Sequence, residues 1–355
     1  MKHLTERNSN LELLRIFSMF LIVTHHFAIH SGLPLWNFSS SNALNLIWSQ
    51  WLCLGGKLGV DLFVLISGYF LATKTGGARF TSILRLLIVT AMYGGGIYIV
   101  FSLSSDSLTF NLKDLIKSCM PANYWFIACY LALIFLSPFL SLTLQKLNKN
   151  QYGSLCTLLF LMISTDILPG ADYFKSPLLT FISLFVFAGY IKIHLILNNI
   201  KARLLISVVC LNIVFFIYWL LHVDFISTGN FFKYGDINSV PILMLAISIF
   251  LLFIKLNIGH IVWINRVASC TLGVYLFHDN NLIRPWLWQT LLHVSSHITS
   301  QLFIIYSLVI ITTVYIICSL IEYSRHFLFN PLIQKLLDRF IFLDKQFSTF
   351  FRTAQ

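Results

Sequence analysis

Apolar stretches long enough to cross a bilayer recur along this chain, and that recurrence leaves few other folds open to it. A spanning helix needs about 20 apolar residues, and only helices and closed barrels satisfy their backbone hydrogen bonds in hydrocarbon. Such stretches lie near 11–31, 50–72, 83–103, 124–144, 154–168, 178–196, 203–222, 239–256, 261–278 and 300–321, the fifth and ninth being the shortest. They predict an all-α, polytopic membrane protein of about ten transmembrane helices. Composition agrees: 10% of residues are charged and the mean hydropathy is +0.81, against roughly 25% charged in soluble domains.

Positive charge tests the count, because Lys and Arg of short loops stay on the cytoplasmic side. With both termini cytoplasmic, 18 of the 24 Lys and Arg fall inside, leaving Lys113, Lys117, Lys175, Lys233, Arg284 and, in the outer half of the second span, Lys57. The net charge of +11 is then the loop charge that topology demands, favoured by anionic membrane lipids. No basic face gathers on a soluble element, so a nucleic-acid partner is not expected. Seven scattered cysteines without a CxxC pair indicate neither a disulfide framework nor a metal site. The first apolar stretch is long and lacks a small-residue cleavage motif, so it reads as a retained span. The loops hold no second module, which gives a membrane domain over 1–322 and an amphipathic cytoplasmic tail over 323–355. In that tail Leu332, Leu336, Phe340 and Leu343 alternate with Lys335, Asp338, Arg339 and Lys345, as a helix lying along the interface would.

Chemistry is then sought among polar residues at membrane depth. In NLELLRIFSMFLIVTHHF, Arg15 and His26 stand eleven apart. Eleven helical steps overshoot three turns by only ~20°, so the two share a face about 16 Å apart. Glu12 and His30 extend that face, while His25 points about 100° away. Taken singly, Arg15 also suits a snorkelling anchor and His26 a structural histidine. In KLGVDLFVLISGYFLA, Lys57 and Asp61 are four apart. They form either an intrahelical ion pair, or a site where Asp61 orients a histidine of the first span. Arg79 and Arg85, entering the third span, answer equally to topology and to a phosphate-bearing ligand. Gly94 to Gly96 suggest helix packing. Tyr124 and Trp125 fit an outer aromatic belt. Tyr275, His278 and Asp279 arrive at the outer surface in SCTLGVYLFHDN, a set that would suit either an interface or a hydroxyl-bearing acceptor.

In series, these residues resemble the bacterial integral-membrane acyltransferase-3 family, whose members mostly O-acylate surface polysaccharides. Arg15 and His26 are similar to its Arg-x10-His signature, with Glu12 at a commonly acidic position. GVDLFVLISGYFLA (59–72) resembles its second-span motif, and Arg85 the arginine that follows. YWFIACYLALIFLSP and LGVYLFH resemble its later Trp-containing and Tyr-x-x-His segments. Ile16 departs from the family, which often has glycine there, and no extracytoplasmic hydrolase-like domain is appended.

The resemblance implies a multi-pass enzyme of the bacterial inner membrane that uses acetyl-CoA, or another acyl-CoA, as acyl donor. The acceptor it implies is a hydroxyl of a glycan or lipid-linked glycan. His26 would be base or transient acyl carrier with Asp61 beside it, and Arg15, Arg79 and Arg85 would hold the donor phosphates. Ser67, Tyr69, Trp125, Tyr275 and His278 would line the substrate path, with membrane lipids as the remaining partners. A transporter or flippase for lipid-linked sugars is the alternative, though internal repeats are not evident.

Overall fold

The computed structural model describes residues 9–36, 42–74, 79–104, 108–164, 174–222 and 228–352, and every regular element among them is helical. In chain order these are α1 (Ser9–His30), α2 (Ala43–Leu71), α3 (Phe80–Ser104), α4 (Leu112–Ser118), α5 (Trp125–Lys146), α6 (Lys149–Ile163) and α7 (Pro177–His194). They continue with α8 (Ala202–His222), α9 (Thr228–Gly235), α10 (Val240–Lys255), α11 (Val262–Ala268) and α12 (Thr271–His278). Last come α13 (Ile283–Pro285), running into a π-helical turn at Trp286–Leu291, then α14 (Phe303–Asp338) and α15 (Ile341–Arg352).

Eight helices among the described residues are long and apolar enough to cross a membrane. They correspond to eight of the ten predicted spans. The predicted fifth span becomes α6, 15 residues beginning earlier than its apolar run because Asn148 and Gln151 form a capping box. Positions 165–168 of that span lie outside the described residues, as do 1–8 and 353–355 of the predicted domain and tail. The predicted ninth span is two short helices, α11 and α12, broken at Ser269 and Cys270. The sequence pattern misses this break because both halves are apolar.

Glycines let α1 and α2 meet closely. A methyl group at Gly56 would fall 2.3 Å from the His25 ring, and one at Gly59 2.5 Å from the Ser18 carbonyl oxygen. Small residues on one helix thus admit the backbone of the other. One end of the bundle gathers the N-terminus of α1 and the C-termini of α2, α5, α7 and α10. There Asn10 donates to the Phe253 carbonyl at 2.9 Å, Gln145 to Ala72 at 3.0 Å and Lys255 to Leu197 at 2.7 Å. Lys74, Lys146, Lys149, Lys192 and Lys255 make this the basic end. At the opposite end Asn45 donates to the Ile298 carbonyl at 2.7 Å and Gln289 to His30 at 2.9 Å.

α14 has 36 residues, about 54 Å of helix against a hydrocarbon core of ~30 Å. It passes positions 322 and 323 without interruption, so the predicted tail begins inside a helix. α15 folds back on the basic end, where the Asp344 carboxylate accepts from the Thr81 amide at 2.9 Å and its hydroxyl at 2.6 Å. Midway, Glu322 is 1% exposed. Arg325 donates twice to it (2.6 and 2.7 Å), Tyr93 once at 2.7 Å, and His326 lies at 2.9 Å. A carboxylate at such depth persists only when it is paired this fully. α12 supplies the room: a methyl at Gly273 would fall 2.3 Å from the Glu322 carboxyl.

Candidate functional site

α12 is half a span, and it stops beside the C-terminal half of α1. Its last residue, His278, is wholly buried, and His26 is 7% exposed. His26 Nδ1 and His278 Nε2 are 2.8 Å apart, while His278 Nδ1 lies 2.5 Å from the Val274 carbonyl oxygen. A carbonyl only accepts, so the His278 proton sits on Nδ1 and its Nε2 carries a lone pair. His26 Nδ1 must therefore donate to it. In the neutral pair this leaves the lone pair of His26 on Nε2, the arrangement a general base needs.

Asp279 follows immediately, its side chain 1% exposed, with Oδ1 3.4 Å from His26 Nδ1 and 3.8 Å from His30 Nε2. Arg284 Nε donates to the same oxygen at 2.8 Å. Tyr124, at the start of α5, donates to the Leu276 carbonyl (2.9 Å) and accepts from Asn280 (2.8 Å), which ties the end of α12 in place. The buried Tyr275 hydroxyl faces the Asp279 carboxylate, though neither it nor Asp279 Oδ2 has a partner within 3.5 Å among the described residues, and the Tyr275 ring lies 6.4 Å from that of His26. A hydroxyl and a carboxylate thus face one another beside the imidazole.

His26, His30 and Asp279 offer ligand atoms within 4.8 Å of one another, as a metal site does. A guanidinium already holds Asp279.

The other predicted residues are spread more widely. Asp61 is wholly buried and neither oxygen has a hydrogen-bond partner among the described residues. The expected Lys57–Asp61 pair is replaced by Lys57 and Asp236 at 3.2 Å, and the carboxylate beside His26 is Asp279. Ser67 bonds the Phe63 carbonyl (3.0 Å) and Tyr130 (3.1 Å), about 16 Å along α2 from the level of His25. Tyr69 packs there against Phe250 and beneath Lys192. Neither joins His26. Trp125 lines a separate cleft of about 330 Å³ with Lys57, Lys175 and Asp236. Tyr275 and His278 do join His26, His278 as its hydrogen-bond partner. Asp279, His30, Arg284 and Tyr124 complete the cluster. The i, i+4 step from His26 signalled His30 and the adjacency to His278 signalled Asp279, whereas nothing in the sequence linked Arg284 to them.

At the basic end Arg15 donates to Glu12 at 2.8 Å and is 24% exposed. Arg85 bonds Gln334 of α14, and Arg79 is exposed just before α3. Partial burial, and then the charge of Arg79, hold the Lys74 amine below its ordinary range. No curated protein and no solved structure matches this sequence. The acyltransferase-3 family model, described as an acyltransferase domain, matches residues 8–323. A membrane-embedded helical bundle, matched to that model over nearly its whole length, belongs to the acyltransferase-3 family.

Proposed function

We propose that the protein moves an acyl group, acetyl by default, from acyl-CoA at the basic end to a hydroxyl of a cell-surface glycan or its lipid-linked precursor. The membrane in question is the bacterial inner membrane, with the basic end cytoplasmic, as the loop charges favour. The observation that carries this reading is the orientation of His26, whose Nδ1 proton is committed to His278 and whose Nε2 is thereby the basic atom. Arg15, Arg79 and Arg85 would meet the donor phosphates. The pantetheine arm would then run along α1 toward His26.

His26 Nε2 takes the proton of the acceptor hydroxyl as its oxygen attacks the thioester carbonyl carbon. The C–S bond breaks, the thiolate takes that proton back from the imidazolium, and CoA leaves as a thiol with His26 neutral again. Between these events the imidazolium is held close to the Asp279 carboxylate, which favours it. The same Nε2 would be the nucleophile of an acyl-histidine route, which a hydroxylamine-labile acyl group on His26 would report. The test is transfer of labelled acetyl from acetyl-CoA to membrane glycan by His26→Ala. A fall of about 10²- to 10⁴-fold is expected; near-wild-type transfer by the folded variant would remove His26 from the mechanism, and absence of transfer by the wild-type protein would sink the reading.

A further inference from the structure

Beside the catalytic cluster a groove of about 640 Å³ opens along α3 from Met92 to Ser104, facing Phe277, Ile283 and Trp286 on its other wall. Twelve helical steps give it a length near 18 Å, and its volume is in the range of ligand sites. Its outer lip is exposed, Val100 at 61% and Trp286 at 39%. In the YGGGIY run, packing explains two of the three glycines and not the third. A methyl on Gly94 would fall 1.9 Å from the Ser118 carbonyl oxygen and one on Gly95 2.8 Å from the Cys119 sulfur, but one on Gly96 would meet nothing within 4 Å. Gly96 faces the groove and keeps it open. Across it the Phe101 and Trp286 rings stand 6.0 Å apart at 86°, and Trp286 opens the π-helical turn, a distortion that concentrates at functional sites.

The groove adjoins the cluster by sequence as well as in space. Phe277 precedes His278, and Ile283 and Trp286 flank Arg284 on one turn. Arg284 spends Nε on Asp279 and is 24% exposed, and its two Nη groups have no acceptor among the described residues. Arg284 follows Ile283 of the groove wall directly, and an apolar channel with a half-buried guanidinium one residue beyond its lining matches an amphiphile with an anionic head. A free sugar entering between such walls would lose hydrogen bonds to water that the walls do not replace, whereas a hydrocarbon chain loses none.

We propose that this groove receives the hydrocarbon tail of a lipid-anchored acceptor, whose phosphate meets the Nη groups of Arg284 next to Asp279 and His26. The word acceptor rests on the acyl-transfer reading, but the binding does not, so the two are tested apart. The purified full chain is photolabelled, without donor, by a diazirine-bearing polyprenyl phosphate and, at equal mole fraction, by a diazirine-bearing phosphatidylcholine. The polyprenyl probe is expected to mark peptides containing Phe101 or Trp286 about tenfold more strongly. Excess unlabelled polyprenyl phosphate should displace it and phosphatidylcholine should not. Gly96→Leu, which fills the groove without meeting a neighbour, should lower that labelling about tenfold at unchanged thermal stability.

Equal marking by the two probes means ordinary bilayer lipid fills the groove and overturns the proposal. So does labelling that Gly96→Leu leaves intact. If labelling behaves as expected while the wild-type protein transfers no acetyl, the acyl-transfer reading falls and the groove stands. The converse pair of results removes the groove alone.

Discussion

A histidine with two ring nitrogens is only as useful as the partner that decides between them, and for His26 that partner is His278. Removing it by His278→Ala leaves Asp279 Oδ1, at 3.4 Å, as the one remaining acceptor near Nδ1 among the described residues. Transfer should then fall about 10²-fold, less than in His26→Ala, because the base survives while its tautomer is no longer enforced. His278→Gln keeps an acceptor oxygen on an arm of similar reach but more freedom and should retain more activity than the alanine variant. Rates of labelled acetyl transfer for the three variants check the order. Asp279→Asn acts on stability as well as on the imidazolium, since it takes the charge partner from Arg284. It should lower the unfolding temperature of the purified protein by an amount corresponding to about 3 kcal/mol.

Among the elements α12 is the unusual one, two turns long, with Glu322 packed against its start and His26 against its end. Gly273→Ala drives a methyl into a carboxylate that Arg325, Tyr93 and His326 hold fixed, so neither side yields easily. A loss of about 1–3 kcal/mol is expected, read as a lower unfolding temperature. In a double-mutant cycle with Glu322→Gln the two losses should fail to add, because they share one contact. If they simply add, Gly273 is not shaped by Glu322. None of this was visible in the sequence, where LGVYLFH read as the end of an unbroken span. Apolar residues on both sides of Ser269 and Cys270 conceal a break that only tertiary packing makes.

At the scale of the molecule, the C-terminal segment is part of the basic end rather than a detached tail. Asp344→Ala should cost about 1 kcal/mol, the worth of the cap it places on α3, and should expose residues 339–352 to limited proteolysis. An unchanged digestion pattern would show that α15 is held by its apolar contacts instead. The eight spans and the shared face of Arg15 and His26 were legible because hydropathy and helical period are local properties. The partner of Lys57 was not. An i, i+4 carboxylate was in reach on the same helix, yet Asp236, far along the chain, has the contact. The same limit hid Arg284 and the pairing of Asp279 with His26, which exist only once α12 meets α1. That meeting joins positions 252 residues apart, which bears on how the protein comes into being. α1 is the first of the described helices to leave the ribosome, and the residue that orients its imidazole follows eleven helices later, at the end of α12. A chain interrupted anywhere before that point carries His26 with its tautomer unassigned, so by this geometry the nascent protein reaches the membrane long before its base is set.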